Sequence, residues 1–485
     1  MPTRLLLETA TLLNISLDLL ASATGGNLWR RHEGVRLEGF FTDTRSPVAG
    51  GLFVALKGER FDGHAFVEKA LQEGAAGVLV SDPSALEIVA RYPGRGAVVV
   101  KDTREAFLNL GELHRRMNAH ALWFAVAGSC GKTSTKEILA HTLAAGAGLR
   151  THRALKSFNN DVGVPTAILG AHRSHQAVVL ELGMNHPGEI RPLASAARPN
   201  VAVIVNAGPE HLEFMGSLDT VAEENSHVLD FQGKQDAAVL NADDPFCEFW
   251  RKRAKGRVVT FGLAPHADVR AEAIEEHPGK GAHFFLCAQQ QAMSVQLLVP
   301  GRHNVINALA AVAAGLAAKL DLAKLAQGLT TYRGAERRFQ IHDVHGVQVI
   351  DDAYNANPLS FKAALSTLKD FAGRRIFIVA ADMLELGNLA PGYHDDLGGW
   401  LAQTGPQMLF TVGQLAERAG RAAVKSGLPE TRYQACQSPE EAAERLRPLL
   451  TRGDVVLVKG SNGMRLDKCI ARLLEHHVPS ASAAN

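Results

Sequence analysis

Leu122-Trp123-Phe124-Ala125-Val126-Ala127-Gly128-Ser129-Cys130-Gly131-Lys132-Thr133-Ser134 is the stretch on which the reading of this 485-residue chain turns. A six-residue apolar run ends in a glycine-rich turn and leads into the helix-like segment Lys136–Leu143, which makes a strand–turn–helix unit. Glycines let the backbone fold tightly, so that successive N–H groups and the helix N-terminus face phosphate oxygens. In that setting Lys132 bridges the β- and γ-phosphates and the Thr133 hydroxyl sits on Mg²⁺. The spacing is GxxGKT, with Val126 at the earlier glycine position of the longer GxxxxGKT loop. The expectation is nucleotide binding through Gly128, Ser129, Cys130, Gly131, Lys132, Thr133 and Ser134; the bland alternative is a chance turn before a helix. Cys130 reads as a small filler, although a helix N-terminus lowers a thiol pKa and would make it sensitive to alkylation.

Outward from this loop the same strand–helix rhythm continues. Residues 1–118 carry short apolar runs (Leu52–Leu56, Gly77–Val80, Ala97–Val100) between helical stretches. A second zone, 119–330, opens with the strand before the loop. A third, 331–476, repeats strand and helix at Val347–Ile350, Ile376–Val379, Met408–Val412 and Val455–Val458. Strands alternating with helices of ten or more residues imply right-handed βαβ units and parallel sheets. The fold class is therefore α/β in three domains: a small first domain, a central P-loop domain with a parallel sheet, and a doubly wound C-terminal domain. Residues 477–485 are small and polar and are expected to be disordered.

Several apolar runs end in a polar residue. Val178–Leu180 runs into Glu181, Val201–Val205 into Asn206, Ala237–Leu240 into Asn241, Val347–Ile350 into Asp351-Asp352, Ile376–Ala381 into Asp382 and Val455–Val458 into Lys459. Open α/β sheets bind ligands outside the carboxyl ends of their strands. Each such residue taken alone is as well explained as a cap or turn; six together point to a site.

Composition narrows the class further. Lys+Arg total 51 against 50 Asp+Glu, so no polyanion-binding surface spans the molecule, and nucleic-acid binding has no support. The apolar run Val305–Ala318 is too short to cross a bilayer and reads as a buried helix. The N-terminus lacks the pattern of a signal peptide. Five scattered cysteines without a CxxC pair suggest neither a disulfide framework nor a zinc site. A cytoplasmic, monomeric enzyme without membrane insertion is expected.

A set of strings resembles the Mur ligase family over nearly the whole chain. In the first zone these are Thr42-Asp43-Thr44-Arg45, Leu52-Phe53-Val54-Ala55-Leu56-Lys57-Gly58 and Phe61-Asp62-Gly63-His64. In the second they are Asn159-Asn160-Asp161-Val162-Gly163-Val164-Pro165, Glu181-Leu182-Gly183-Met184-Asn185, His211-Leu212-Glu213, Asn241-Ala242-Asp243-Asp244-Pro245 and Gly301-Arg302-His303-Asn304-Val305-Ile306-Asn307. In the third they are Asp351-Asp352-Ala353-Tyr354-Asn355-Ala356-Asn357-Pro358, Asp382-Met383-Leu384-Glu385-Leu386-Gly387 and Lys459-Gly460-Ser461. The third-zone strings resemble the branch of the family that adds D-alanyl-D-alanine.

The resemblance implies ligation of D-alanyl-D-alanine to UDP-N-acetylmuramoyl-tripeptide, driven by ATP through an acyl phosphate, in peptidoglycan precursor synthesis. It implies a first Mg²⁺ at Thr133 and a second held by Glu181 and His211, and catalytic roles for Lys132, Glu181, His211 and an arginine from the third zone. Arg337 fits the spacing before Asp351, with Arg338 adjacent and Glu336 where the family has glycine. Asn304, Asn307 and Asp351 would meet the nucleotide. Thr44, Arg45, Lys57, Asp62 and His64 would meet the UDP-sugar, with Asn160 as a further substrate contact. Asn355, Asn357 and Ser461 would meet the dipeptide. Without the resemblance, His211 reads as a surface histidine and Asp62-Gly63-His64 as a turn with a helix cap.

The sequence also departs from the family. Mur ligases usually carry a lysine about fourteen residues after the metal histidine, carbamylated to help hold a second Mg²⁺; here Asn225 stands there. Three readings follow. Glu223, Glu224 or His227 substitutes; or Glu181, His211 and substrate hold the metal alone; or the chain is a catalytically weak nucleotide- or UDP-sugar-binding paralogue. Ligation of a different amino acid is a further alternative. Ala127, Val205, Ala381 and Asn462 also differ from the family's usual threonines, glycine and arginine.

Overall fold

The computed structural model describes residues 14–30, 35–58, 61–155 and 157–475; the tail expected to be disordered lies outside them. Among the described residues the chain builds three sheets and a short ribbon, Ile15–Ser16 with Arg36–Leu37.

The first sheet runs in the order Asn27–Trp29, Gly96–Val99, Gly77–Val80, Leu52–Val54, Phe40–Phe41, parallel except for the antiparallel edge pair Asn27–Trp29 with Gly96–Val99. The helix Thr103–Met117, capped by Asp102 through the N–H groups of Arg104 and Glu105, closes this unit. It leads directly into the phosphate-loop strand.

The middle sheet has nine strands. From one edge these are Thr151–Arg153, Ala177–Glu181, Leu122–Ala127, Val201–Ile204, Ala237–Asn241, Arg257–Gly262, Val269–His277, Gly281–Ala288 and Gln291–Leu297. Leu122–Ala127 sits between Ala177–Glu181 and Val201–Ile204, where the chain first winds one way and then the other. That reversal opens a crevice at the carboxyl ends of the strands. The strand is apolar along its whole length because both faces are covered: Trp123, Ala125 and Ala127 pack into one core, Phe124 and Val126 into the other. The middle sheet is parallel, as expected, from Thr151–Arg153 through to Val269–His277. The last three strands instead form an antiparallel meander. The two flanking strands of the meander, Val269–His277 and Gln291–Leu297, leave much of their length exposed, while Gly281–Ala288 between them is mostly buried.

The loop helix begins at Lys132, immediately after Gly131, rather than at Lys136, and runs to His141. The buried helix Arg302–Ala317 packs beside it; its alanines allow close approach, and all but Arg302, His303 and Ile306 are buried.

The third sheet runs Gln340–Val344, Val347–Asp352, Val455–Lys459, Ile376–Ala381, Met408–Val412, Tyr433–Cys436, parallel but for the first pair. It has the expected doubly wound form, with two further edge strands, Gln340–Val344 and Tyr433–Cys436, whose mixed polar composition hid them in the sequence. The carboxyl ends of Val347–Asp352 and Val455–Lys459 face the phosphate loop of the middle unit.

Candidate active site

The loop Gly128–Gly131 owes its shape to two glycines in conformations that other residues avoid, φ 132° at Gly128 and 87° at Gly131. A Cβ at Gly131 would stand 2.4 Å from Asn307 Oδ1, so the helix Arg302–Ala317 approaches the loop more closely than any side chain permits. The segment after Val201–Ile204 is strapped to the loop on two sides. Cys130 N donates to Asn206 Oδ1 (2.8 Å) while Asn206 Nδ2 donates to Cys130 O (2.9 Å). Gly208 N donates to Ser129 Oγ (2.9 Å), which in turn donates to Gly208 O (3.2 Å).

Two adjoining clefts open over this loop. The larger, about 320 Å³, is lined by Ser129 to Thr133, Asn160, Glu181, Glu210 and His211 from the middle unit. Arg338, Tyr354, Asn355, Asn357, Glu385 and Ser461 from the third unit line its other wall. The smaller, about 150 Å³, is lined by Cys130, Gly131, Ser134, Asn206, Asn241, His303, Asn304 and Asn307, with Arg338, Asp352 and Lys459 opposite. Polar strand ends from two sheets thus converge on one place. Gly128 lies behind the loop and lines neither cleft, but its carbonyl accepts from Lys132 Nζ.

Lys132 Nζ also donates to Ser129 O (3.3 Å) and lies 3.2 Å from Glu210 Oε2. Thr133 Oγ1 is 3.2 Å from Ser157 Oγ and accepts from Arg338 Nη2 at 3.0 Å. Glu181 is 1% exposed. Its Oε1 accepts from Asn159 Nδ2 (3.1 Å), whereas Oε2 has no hydrogen-bond partner and lies 3.7 Å from the buried ammonium of Lys136. His211 adopts a left-handed backbone, φ 48°, and its Nδ1 stands 2.6 Å from Glu385 Oε2 of the third unit, close enough for an ion pair but off the line of a hydrogen bond. That contact holds the Glu385 carboxyl below the usual carboxylate range. Asn304 Nδ2 donates to Pro300 O and Asn307 Nδ2 to Asn304 Oδ1, which orients both amides at the smaller cleft.

Two expectations need correction within the third unit. Arg337 lines neither cleft; its Nη2 donates to Ala353 O at 2.6 Å. Arg338 instead faces the loop, its guanidinium 4.1 Å above the Tyr354 ring. Left-handed backbone at Arg337 (φ 58°) and Phe339 (φ 54°) turns these neighbouring side chains to different sides, which spacing alone does not reveal. Likewise Asp351 is buried away from both clefts, its carboxyl pushed up by burial, and accepts from Ala353 N. Strand alternation puts Asp352 on the cleft side. There it pairs with Lys459 Nζ at 2.7 Å in the adjacent, register-matched strand.

Asn355, Asn357 and Ser461 lie together. Asn357 caps the helix Pro358–Leu368 in a capping box with Ser360. Ser461 Oγ accepts from Leu384 N (3.0 Å) and donates to Ala356 O (3.4 Å), tying the two loops. Asn160 caps the turn into Gly163–Leu169, its Oδ1 accepting from Gly163 N (2.8 Å). The neighbouring Asp161 meets Arg104 Nη1 at 2.5 Å, and Arg104 Nε donates to Lys57 O, so the first unit is tied to this wall. Thr44, Arg45, Lys57, Asp62 and His64 themselves line neither cleft. Arg45 is exposed and paired with Asp43 (2.5 Å). His64 Nδ1 donates to Asp62 (2.6 Å) while Nε2 accepts from Ser81 N (2.9 Å), the turn-and-cap arrangement.

The Cys130 thiol, desolvated between the clefts, is pushed up rather than down, contrary to the alkylation expectation. Asn225 is buried, its Nδ2 donating to Val221 O. None of its proposed substitutes faces a cleft. Glu224 caps the helix Ile190–Ala197, accepting from Gly188 N (2.8 Å) and Ile190 N (2.7 Å). Glu223 pairs with Arg253, and His227 with Asp230 and Arg253. Among the described residues no three His, Cys, Asp or Glu side chains are grouped as a ready metal centre. The polar strand ends Asn206, Asp352 and Lys459 do lie at the clefts, and Arg338, named only as the neighbour of Arg337, is the arginine that lines them; Glu210 carried no signal at all.

Three family models match the chain: the Mur ligase family catalytic domain over residues 38–122, the Mur ligase middle domain over 126–315, and the Mur ligase glutamate ligase domain over 337–462. The UDP-N-acetylmuramoyl-tripeptide–D-alanyl-D-alanine ligase of Escherichia coli K12 is 33% identical over 96% of this chain and 99% of its own. That of Bacillus subtilis 168 is 31% identical over 92% and 95%. A crystal structure of MurF from Acinetobacter baumannii superposes with a TM-score of 0.86 at 34% identity, covering 95% of this chain and 98% of its own.

Proposed function

The chain belongs to the Mur ligase family, and from that premise we propose that it joins D-alanyl-D-alanine to UDP-N-acetylmuramoyl-tripeptide at the expense of ATP, in the cytoplasmic stage of peptidoglycan precursor synthesis. The observation that carries this reading is the shared cleft. The phosphate loop forms one wall, Asn355, Asn357 and Ser461 form the other, and Arg338 joins them at Thr133.

A carboxylate resists attack by an amine, so it must first be activated. An oxygen of the tripeptide carboxylate attacks the γ-phosphorus, the bond to the β–γ bridging oxygen breaks, and ADP leaves. The amine nitrogen of the dipeptide then attacks the carbonyl carbon of the acyl phosphate. The tetrahedral intermediate expels phosphate, and the nitrogen loses a proton as the peptide bond forms. Such transfers depend on positioning and charge neutralisation. Lys132, the loop amides and Arg338 supply the positive field at the phosphates. Asn304 and Asn307 border the nucleotide cleft, and the Asn355–Asn357 loop, held by Ser461, orients the amine. Glu181 Oε2, which makes no hydrogen bond, the Thr133 hydroxyl and the His211 imidazole are donors of the kind that suit Mg²⁺. When bound, the ion spreads the charge of the transferring phosphoryl group.

The test is ADP release from purified protein given UDP-N-acetylmuramoyl-tripeptide, ATP and Mg²⁺ with each of several amines, with the product mass determined. Turnover that requires D-alanyl-D-alanine is expected. Binding of the nucleotide sugar without ADP release would establish the weak paralogue suggested by Asn225, and turnover with another amino acid would reassign the amine.

A further inference from the structure

Glu210 is buried in the wall of the larger cleft, beside the phosphate loop, and was invisible to sequence reasoning. Its Oε2 lies 3.2 Å from Lys132 Nζ, while Oε1 is buried without any hydrogen-bond partner. The straps from Asn206 to Cys130 and from Gly208 to Ser129 fix the segment that carries it. The backbone therefore keeps Glu210 in the cleft wall. If a triphosphate occupies the loop, as the proposed function requires, Lys132 turns to its phosphates and Glu210 loses its counter-charge. A buried anion would then face a polyanion in a water-poor cleft, where repulsion is weakly screened. A divalent cation between them removes that conflict and uses the unpartnered oxygen. Asn225, Glu223, Glu224 and His227 line neither cleft, so none of them offers a ligand beside Lys132.

We propose that Glu210 is a ligand of the divalent cation that enters with the nucleotide, exchanging Lys132 for the metal as the phosphates bind. The phosphate oxygens would complete the coordination. The inference rests on the nucleotide reading of the site.

The test titrates Mn²⁺, followed by its electron paramagnetic resonance signal, into protein with β,γ-methylene-ATP, and separately measures β,γ-methylene-ATP binding in EDTA. For Glu210→Gln the Mn²⁺ affinity of the nucleotide complex should fall about 10–100-fold, while metal-free nucleotide binding is unchanged or tighter. Glu210→Asp, which keeps the charge on a shorter arm, should lie between; it also serves if the glutamine variant fails to fold by circular dichroism. Unchanged Mn²⁺ affinity in both variants, or equal loss with and without metal, overturns the inference while leaving the nucleotide site intact. Wild-type protein that binds no nucleotide overturns the functional reading, and this inference with it.

Discussion

Arg338 donates from Nη2 to Thr133 Oγ1 over 3.0 Å, joining two residues 205 positions apart and closing the third unit onto the phosphate loop. The same guanidinium stacks on Tyr354, so its plane is set before any ligand arrives. The contact places Arg338, and not the adjacent Arg337, at the phosphate loop.

Replacing Arg338 by alanine should therefore lower kcat by about 10²–10³-fold, the scale of losing one preorganised transition-state donor. Lysine should not restore it, because an ammonium neither stacks nor presents a planar fork. Arg337→Ala, which removes a bond to Ala353 O, should cost about 1 kcal/mol of stability and change kcat only a few-fold. Steady-state ADP release and urea unfolding of both variants check this; equal kinetic losses would refute the assignment.

Asp352 and Lys459 form a pair in which the lysine is 1% exposed. Asp352→Asn leaves that ammonium without its counter-charge and should destabilise the protein by about 3–5 kcal/mol. Lys459 Nζ also donates to Asn355 O (3.3 Å), so KM for the dipeptide should rise in the same variant. Urea midpoints and dipeptide titrations measure the two effects.

Gly131→Ala meets both a positive φ and Asn307 Oδ1 at 2.4 Å. Either the loop or the helix Arg302–Ala317 must shift, and nucleotide affinity should fall at least about tenfold, since positioning is what the loop provides. Calorimetric titration with ADP reads it directly, and an affinity within twofold of wild type would show that this close approach is not needed.

Asn225→Lys puts an ammonium at a position 1% exposed and away from both clefts. ADP release should not increase, with or without added bicarbonate, and the melting temperature should fall by several degrees, since a buried charge lacks compensation. A large bicarbonate-dependent gain would mean that a carbamate reaches the site from there after all.

His152 is held neutral by burial, its pKa pushed down to about 4, and its ring contacts Ala167 O through Nε2 (2.9 Å). Its folded pKa lies below the ordinary value of about 6.5, so the unfolded chain binds the extra proton first. Stability from this group is complete above pH 6.5 and declines as pH falls toward 4. His303 behaves alike, pushed down to about 4 beside the smaller cleft. Melting temperature against pH should drop across that window, and His152→Gln, whose amide still donates to Ala167 O, should flatten the slope.

Much of this molecule was legible in one dimension. Parallel strands covered on both faces must be apolar throughout, so Leu122–Ala127, Ala177–Glu181 and Val455–Lys459 announced themselves, as did the glycine loop whose spacing is local. The antiparallel meander was not legible, because half-buried strands with mixed residues resemble ordinary exposed chain. Site residues supplied by local motifs, such as Lys132, Thr133 and Asn304, line the clefts. Arg337, chosen by its spacing, and Asp351, taken from a string with two adjacent aspartates, each sit one position from the side chain that does.

The amino-acid order by itself determined the layered α/β architecture and the loop that faces phosphate, since both depend on hydrophobic periodicity and on glycine's backbone freedom within a few residues. Only the tertiary structure decided which arginine and which aspartate turn toward that loop, that Glu210 stands beside Lys132, and that Asn225 stands apart. Those outcomes depend on backbone twist and on the meeting of separate sheets, which no stretch of sequence contains.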